Sequence, residues 1–315
     1  MTNHAFDRER MRREVAAGLG RTPREISPKY FYDERGSRLF DEITRLDEYY
    51  PTRTERELLE RFSTVWITGV RPHCLVELGA GSADKTRILL DAMHAAGTAE
   101  LYVPVDISAD YLEDVAAGVD RAYPELEVRP AVADLTGELA LDGALPRPLV
   151  VAFLGSTLGN FDREAAGGLL RRVRALLRPG DRFLLGLDLV KQPAVLEAAY
   201  NDADGVTAAF NLNVLDVLNR ELGADFRPEA FRHHAFWNAE ESRIEMHLVT
   251  DQPQTVSIPG VGTVEFAAGE HLRTEISRKF NRPGVEAMLA AAGLRLVRWE
   301  TDVRDWFALA VGAPA

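Results

Sequence analysis

The 315-residue chain has one cysteine, an excess of acidic over basic residues and no long apolar run. With Cys74 alone, an intrachain disulfide and a thiolate metal cluster are excluded, and the histidines lack metal-ligand spacing with a carboxylate partner. The net charge of −12 argues against a surface that binds nucleic acid. No segment approaches the ~18 apolar residues of a membrane span, and the N-terminal residues lack the apolar core of a signal peptide. These absences predict a cytoplasmic protein with no metal, no nucleic-acid partner and no membrane association.

The most informative segment is a glycine turn between a predicted apolar strand and a predicted helix. The strand runs into Gly79-Ala80-Gly81, and a second strand ends at Asp106, 25 residues after Gly81. This order is typical of a site for a ribose-bearing cofactor, in which glycines admit the ligand and the acidic residue accepts the ribose hydroxyls. An ordinary strand-to-helix turn that needs glycine for its backbone angles is the alternative.

The glycine turn lacks the third glycine of a dinucleotide-binding fingerprint. Asp84 takes that position, and an acidic side chain there would repel a pyrophosphate. S-adenosylmethionine (SAM) has no phosphate and carries a cationic sulfonium, so Glu77 and Asp84 favour it over a nicotinamide dinucleotide. Lys85 follows, and it either pairs with the carboxylate of the SAM tail or is a solvated lysine.

Apolar strands alternate with helical stretches through the first part of the chain. The near-continuous apolar run 149–154 is what a strand buried on both faces requires. The alternation predicts an α/β fold, in which helices cover both faces of a parallel sheet. The predicted strands are 74–79, 100–106, 127–132, 148–154 and 182–188, with helices such as 84–96 and 163–177 between them.

The pattern changes after residue 195 and returns near the end of the chain. Polar and apolar residues then alternate, which is typical of antiparallel strands with one face on a core. The predicted segments are a long helical region at about 195–240, strands at 243–249 and 273–280, a helix at 282–292 and closing strands at 294–299 and 307–311.

These patterns predict two domains. We expect a SAM-binding domain of residues 1–195 and 281–315, which includes an N-terminal helical cap. Residues 196–280 are expected to form an inserted α+β domain that recognises the substrate.

Ligands of an open parallel sheet bind beyond the carboxyl ends of its strands. Asp106 can accept both ribose hydroxyls there, and Asp134 either meets an adenine amino group or is a helix cap or part of a solvated turn. The fourth strand ends in the polar loop 155–161, where Asn160 either meets the substrate or caps the next helix. The loop is therefore a candidate for substrate binding.

Glu275 and Ser277 project from the same face of a predicted strand, because side chains alternate with period two. Arg273 and Lys279 are expected on that face too, so spacing alone favours a solvent-exposed polar surface over a pocket for an imidazole or ammonium. Met246, on the apolar face of its strand, is predicted to fill a core.

Six segments together resemble one family. They are 27–37 (SPKYFYDERGS), 39–53 (LFDEITRLDEYYPTR), 77–81 (ELGAG), 153–161 (FLGSTLGNF), 200–213 and 275–277 (EIS). Together they resemble the histidine-specific, SAM-dependent Nα-methyltransferases of ergothioneine biosynthesis, over nearly the whole chain. The resemblance implies a class I, Rossmann-like methyltransferase sheet. It also implies that the α-amino group of L-histidine is trimethylated to hercynine, while three SAM molecules become S-adenosyl-L-homocysteine.

The resemblance also implies a set of SAM-binding residues, to which the glycine turn adds Gly81. They are Tyr32, Gly79, Lys85, Asp106, Asp134 and Leu135.

The same resemblance implies a set of residues for L-histidine. Tyr49, Asn160 and Tyr200 would hold its backbone end, with Asn160 on the carboxylate or amine. Glu275 and Ser277 would grip the imidazole, with Met246 packed beside it.

The sequence leaves alternatives open for the substrate, for the group that assists proton removal and for the class of protein. Fungal relatives methylate an indole amino acid, but an indole has one donor and cannot satisfy both Glu275 and Ser277, so imidazole is favoured. Tyr49, or a water it holds, is the candidate that assists proton removal from the amine, although a tyrosine pKa near 10 makes it a poor base. The pocket otherwise binds the neutral amine. An NAD-dependent oxidoreductase and a non-catalytic SAM-binding sensor or carrier are the other classes, and a monomer is expected.

Overall fold

The computed structural model describes residues 7–107, 109–137, 139 and 141–315, and the chain divides into two compact units. Unit 1 is Met1–Tyr50, described from Asp7 onward, with Lys191–Arg278. Unit 2 is Pro51–Val190 with Lys279–Ala315. The described part of the predicted N-terminal cap therefore groups with residues 191–278 rather than with the SAM-binding domain, which differs from the sequence-based division.

The helices and strands are numbered in chain order. The helices are α1 Arg8–Leu19, α2 Glu34–Ile43, α3 Tyr50–Val70, α4 Thr86–Ala95, α5 Ala109–Ala122, α6 Arg163–Leu176, α7 Pro193–Ala198, α8 Val206–Leu222 and α9 Arg282–Ala291. The strands are β1 Arg24–Glu25, β2 Cys74–Leu78, β3 Leu101–Asp106, β4 Glu127–Val128, β5 Ala131–Val132, β6 Leu149–Phe153, β7 Arg182–Asp188, β8 Phe231–Asn238, β9 Arg243–Thr250, β10 Gln254–Ile258, β11 Gly262–Phe266, β12 His271–Arg278, β13 Leu294–Thr301 and β14 Phe307–Pro314.

The sheet of unit 2 is mostly parallel. Within the described ranges its order is β13-β14-β7-β6-β2-β3-β4, and β5 also pairs with β3. Alternate residues of β2 enter different cores, because side chains alternate across a strand. Val76 belongs to a core that includes residues of α6 and α9, whereas Leu75 belongs to a core that includes residues of α3 and α4. The predicted α/β fold, with helices on both faces of a Rossmann-like sheet and two closing antiparallel strands, is confirmed.

The strand order of unit 2 reverses beside β2. The chain passes from β2 to β3 on one side and later returns to form β6 on the other side, parallel to β2. Ligands of open α/β sheets bind in the crevice at such a reversal, beyond the carboxyl ends of the strands. The glycine turn after β2 and the loop after β6 both lie at this end.

The predicted strand at 127–132 is two short strands, β4 and β5. Arg129-Pro130 separates them, and a proline has no N–H to donate to a sheet.

Unit 1 is built on the sheet β1-β12-β9-β8, with the hairpin β10-β11 beside it in the chain. β1 pairs parallel with β12, so that Arg24 lies opposite Leu272, and α2 packs against α8. These contacts explain why the N-terminal segment belongs to unit 1. Within the described ranges, none of the helices in either unit has the length and apolarity that a bilayer crossing requires.

The predicted helical region at 195–240 is only partly helical. α8 ends at Leu222, because the next residue, Gly223, has a left-handed φ of +69°, and β8 then pairs along its whole length with β9. The helix prediction is therefore wrong for residues 223–240. The region lacks the strict alternation of a strand because one face of β8 combines the exposed Arg232 with partly buried residues, and the other face combines buried with partly buried residues.

Candidate active site

The glycine turn after β2 is tied to the end of β3. Gly79 and Gly81 have φ values of +66° and +50°, which favour glycine. The Gly79 N–H donates to the carbonyl of Val105 at 2.8 Å, and the Gly81 N–H donates to Asp106 Oδ2 at 3.3 Å. A Cβ added to Gly81 would meet no described atom within 4 Å, so the backbone of the turn is open on that side. The structure therefore brings these three predicted SAM residues together around an open turn.

Asp134 and Leu135 follow β5, next to the end of β3. Asp134 Oδ1 accepts hydrogen bonds from the backbone N–H and the hydroxyl of Thr136, at 2.8 and 2.6 Å. These contacts place one carboxylate oxygen of Asp134 within a turn, as the solvated-turn alternative expects. Leu135 packs against the core, and its carbonyl accepts a hydrogen bond from Arg172 at 2.6 Å.

Asn160 ends a short 3-10 helix, Thr157–Asn160, in the loop after β6. The cap of α6 is Asp162, whose Oδ1 accepts the Ala165 N–H at 2.8 Å. The helix-cap alternative for Asn160 is therefore wrong. Ser156 has a left-handed φ of +56°, and its hydroxyl accepts the Asp188 N–H at 2.9 Å. Backbone strain of this kind in a non-glycine residue is common at functional sites.

Lys85 is paired with a carboxylate that sequence reasoning missed. Glu55 of α3 is fully buried, and it forms an ion pair with the Lys85 ammonium. Both oxygens of Glu55 also accept the Gly155 N–H, each at 2.9 Å. The solvated-lysine alternative is therefore wrong. The sequence around Glu55 reads Arg53-Thr54-Glu55-Arg56-Glu57, and in such a charged helical stretch nothing marks one carboxylate as buried.

Glu77 points into the interior of unit 2, although the sequence suggested that it would face a cationic ligand. Its carboxyl accepts hydrogen bonds from the Tyr102 hydroxyl at 2.6 Å and from the Thr86 hydroxyl. Burial raises the pKa of Glu77 to about 7. Asp84, by contrast, is exposed and accepts a hydrogen bond from the Ser82 hydroxyl at 3.0 Å.

Unit 1 brings together several of the residues predicted to bind the substrate. The rings of Tyr49 and Tyr200 are buried, with centroids 6.2 Å apart at an interplanar angle of 67°. The Tyr200 hydroxyl and Ser277 Oγ share a hydrogen bond of 2.8 Å. This pair joins the segment after α7 to β12.

Glu275 lies beside Met246 on adjacent strands. The two residues are register partners of β12 and β9, and only 9% of Glu275 and 3% of Ser277 is exposed. A bulge between Arg273 and Glu275 pairs Arg273 with His247 instead, on the opposite face of the sheet. The predicted polar face shared with Arg273 is therefore wrong. Lys279, the fourth member of that prediction, lies in unit 2 and binds Asp188 at 2.8 Å.

Tyr32 lies in unit 1, whereas the other predicted SAM residues lie in unit 2. It is 37% exposed, and its ring meets those of Phe40 and Phe210 edge-on at 5.7 and 5.6 Å. Those contacts fix the ring at the surface of unit 1.

A buried polar network supports Tyr200, and sequence reasoning missed it. Asn211 of α8 accepts the Thr274 hydroxyl at 2.6 Å and donates to His233 Nδ1 at 2.9 Å. His233 Nε2 then donates to the Tyr200 carbonyl at 2.8 Å. Burial lowers the pKa of His233, which keeps the ring neutral and able to accept at Nδ1. An asparagine at one position of a helical pattern carries no sign of such contacts.

Comparison with known proteins identifies the family. Residues 11–313 match the model of the histidine-specific, SAM-dependent methyltransferases. The chain belongs to this family. The predicted enzyme class and methyl donor are confirmed, and the NAD-dependent oxidoreductase is excluded. Among the described side chains of this methyltransferase, no group of three or more His, Cys, Asp and Glu residues is arranged to hold a metal ion.

Individual proteins agree with the family match. The methyltransferase is 47% identical over 304 residues to a histidine N-alpha-methyltransferase of Mycobacterium tuberculosis, and the match covers 96% of this chain and 94% of that protein. It is 29% identical over 293 residues to ergothioneine biosynthesis protein 1 of Neurospora crassa, covering 87% of this chain and 32% of that one. The crystal structure of a SAM-dependent methyltransferase from Clostridium acetobutylicum is similar in fold, with a TM-score of 0.52, 12% identity and coverage of 88% and 98% of the two chains.

Proposed function

We propose that this methyltransferase transfers three methyl groups from SAM to the α-amino nitrogen of L-histidine, and so makes hercynine in the first step of ergothioneine biosynthesis. The observation that carries the proposal is the buried face of unit 1 on which Glu275 and Ser277 lie beside Met246. The M. tuberculosis relative, at 47% identity, supports the same reaction. We further propose that the enzyme acts as a cytoplasmic monomer without a metal ion.

Unit 2 is proposed to hold the donor. The open glycine turn admits the nucleoside, Asp106 accepts the ribose hydroxyls, and Asp134 and Leu135 lie against the adenine. Lys85 binds the carboxylate of the amino-acid tail. Tyr32 of unit 1 completes the proposed set.

Unit 1 is proposed to recognise the acceptor. The Glu275 carboxylate accepts a hydrogen bond from an imidazole N–H, and the Ser277 hydroxyl forms a hydrogen bond with the other ring nitrogen. A hydroxyl can donate or accept, so the pair of Ser277 with Tyr200 adapts to either tautomer of the ring. Met246 packs against the ring, and Tyr49 and Tyr200 hold the backbone end of the amino acid, a role also proposed for Asn160 of unit 2.

The chemistry requires a neutral amine, because an ammonium has no lone pair. SAM supplies an electrophilic methyl group whose bond to sulfur breaks as the bond to nitrogen forms, with the electron pair left on sulfur. The nitrogen loses one proton before each of the three transfers, and the trimethylated product is a permanent cation. Tyr49, or a water it holds, assists that proton loss, while the rest of the site contributes chiefly by orientation.

The proposal is tested by incubation of the protein with SAM and a panel of free amino acids, followed by mass spectrometry. We expect L-histidine to gain one, two and then three methyl groups while the other amino acids stay unchanged. Faster methylation of tryptophan would support the indole alternative instead. Tight SAM binding with no transfer to any amino acid would support a non-catalytic sensor.

A further inference from the structure

Glu55 is a buried charge in unit 2 to which the reaction assigns no role. It projects from α3, is completely buried and binds two different partners, the Lys85 ammonium and the Gly155 N–H. A carboxylate is costly to bury, and it persists only where a cation and hydrogen-bond donors satisfy it. Both partners lie at the carboxyl end of the sheet, Lys85 after the glycine turn and Gly155 after β6.

β7 is shaped to admit this carboxylate. A Cβ added to Gly186 would overlap Glu55 Oε1. Gly186 lies within β7, outside the residues of positive φ, so its glycine is required for space and not for backbone angles. The sheet therefore contains a gap that the Glu55 carboxylate fills.

The ion pair fixes a flexible side chain at a defined point. A lysine has several rotatable bonds, and an ammonium carries three N–H donors. The Lys85 side chain is 20% exposed while Glu55 is fully buried, so the carboxylate holds the ammonium from the interior and part of the lysine side chain stays accessible. Gly155 approaches closely as well, since a Cβ added there would lie 3.6 Å from Lys85 Nζ.

We propose that Glu55 is a positioning residue for the amino-acid tail of SAM. It holds the Lys85 ammonium where that group binds the tail carboxylate, and it fixes Gly155, which begins the loop that carries Asn160. The inference rests on the proposed function, in which Lys85 binds the SAM tail.

Two ligands separate the tail from the nucleoside. S-adenosyl-L-homocysteine has the amino-acid tail, and 5′-methylthioadenosine lacks it. We expect Glu55→Gln to weaken binding of S-adenosyl-L-homocysteine by about tenfold or more, because a charged hydrogen-bond partner of Lys85 is lost. Binding of 5′-methylthioadenosine should stay within about twofold, which also shows that the variant is folded. Isothermal titration calorimetry measures both affinities.

Gly186→Ala is an independent variant that keeps the charge of Glu55. The added methyl group displaces the carboxylate, so it should lower the preference for the tailed ligand in the same way. Glu60→Gln and Gly69→Ala are matched controls, since Glu60 is exposed on α3 and a Cβ at Gly69 meets no described atom within 4 Å. Both should leave the preference unchanged.

The Lys85→Met variant tests whether Lys85 binds the SAM tail, separately from the role of Glu55. If Lys85→Met lowers the preference for the tailed ligand but Glu55→Gln and Gly186→Ala do not, the role of Glu55 is wrong. Tighter binding of the tailed ligand by Glu55→Gln would also overturn it, because Glu55 would then compete with the ligand for Lys85. An unchanged preference in Lys85→Met would instead contradict the assignment of Lys85 in the proposed function, and the inference with it.

Discussion

Three buried glutamates have different partners, and their partners give them different chemistry. Glu55 faces a cation, Glu77 faces the hydroxyls of Thr86 and Tyr102, and Glu275 lies beside Met246 in the sheet of unit 1. Since two hydroxyls solvate a carboxylate less well than an ammonium does, burial dominates at Glu77 and raises its pKa. Whether a buried carboxylate is a candidate for a functional role therefore has to be judged from the groups that it contacts.

The raised pKa of Glu77 predicts a loss of stability with rising pH. Its pKa is about 7 in the folded chain against an ordinary value of 4.5, so the unfolded chain releases this proton first. The contribution to stability is complete below pH 4.5 and is lost as the pH rises to 7, by about 3 kcal/mol. Chemical denaturation of Glu77→Gln should lack this pH dependence.

The matched control for that measurement is Glu125→Gln, because Glu125 is exposed in the same unit. It should follow the wild-type pH curve. If Glu77→Gln lost stability between pH 4.5 and 7 as steeply as the wild type, the buried proton would not reside on Glu77.

Glu275→Gln is expected to raise the KM for histidine by roughly tenfold to a hundredfold, because a charged hydrogen bond to the imidazole becomes a neutral one. The affinity for SAM, measured by calorimetry, should not change. Glu265→Gln, at an exposed position of the same unit, is the control. An unchanged histidine KM in Glu275→Gln would remove this residue from the site.

Sequence patterns located the candidate residues at strand ends but not the buried polar residues that hold them in place. Gly79 and Asn160 follow strands and Asp106 ends one, so the rule for parallel sheets locates them. Glu55 and Asn211 lie inside helices, where nothing local distinguishes a buried polar residue from a solvated one. Their roles depend on contacts with residues about 30 to 100 positions away in the chain.

At the scale of elements, α8 is bonded to the sheet of unit 1 by polar side chains as well as by apolar packing. Asn211 connects it to β12 through Thr274, to β8 through His233 and to β9 through the His247 carbonyl. One buried amide therefore sets the position of the helix on three strands.

Asn211→Ala is expected to destabilise the protein by about 2–4 kcal/mol, because it leaves several buried polar partners unsatisfied. It should also raise the KM for histidine, since His233 then loses its hold on the Tyr200 carbonyl. Urea denaturation and initial-rate kinetics measure the two effects. Asn201→Ala, at an exposed position before α8, should change the stability by less than about 0.5 kcal/mol. Equal stability of the two variants would refute the network.

The bulge in β12 shows why strand patterns fail at single positions. Alternation predicts that Arg273, Glu275 and Ser277 share a face, and for Glu275 and Ser277 it is correct. The extra residue moves Arg273 to the other face, where it pairs with Glu25 and His247 rather than with the site. No residue type in this stretch signals the bulge, because it depends on the pairing with β9.

At the scale of the molecule, the alternation of strands and helices predicted the sheet of unit 2 well, because its central strands β2, β3, β6 and β7 are continuous in sequence and buried on both faces. Which segments of the chain make up unit 1 was harder to predict. Its sheet takes β1 from one end of the chain and β8, β9 and β12 from the other. Neither the local periodicity of apolar residues nor the turn signals indicate a pairing between strands so far apart in the chain.

Because Arg24 pairs with Leu272, β1 can join its partner strand only after Leu272 has been synthesised. The ribosome adds about 5–20 residues per second, so roughly 12–50 s separate the appearance of β1 from that of the strand it joins. Unit 2 has its parallel strands available well before that time. In the nascent chain β1 therefore stays without its partner strand until β12 has been made.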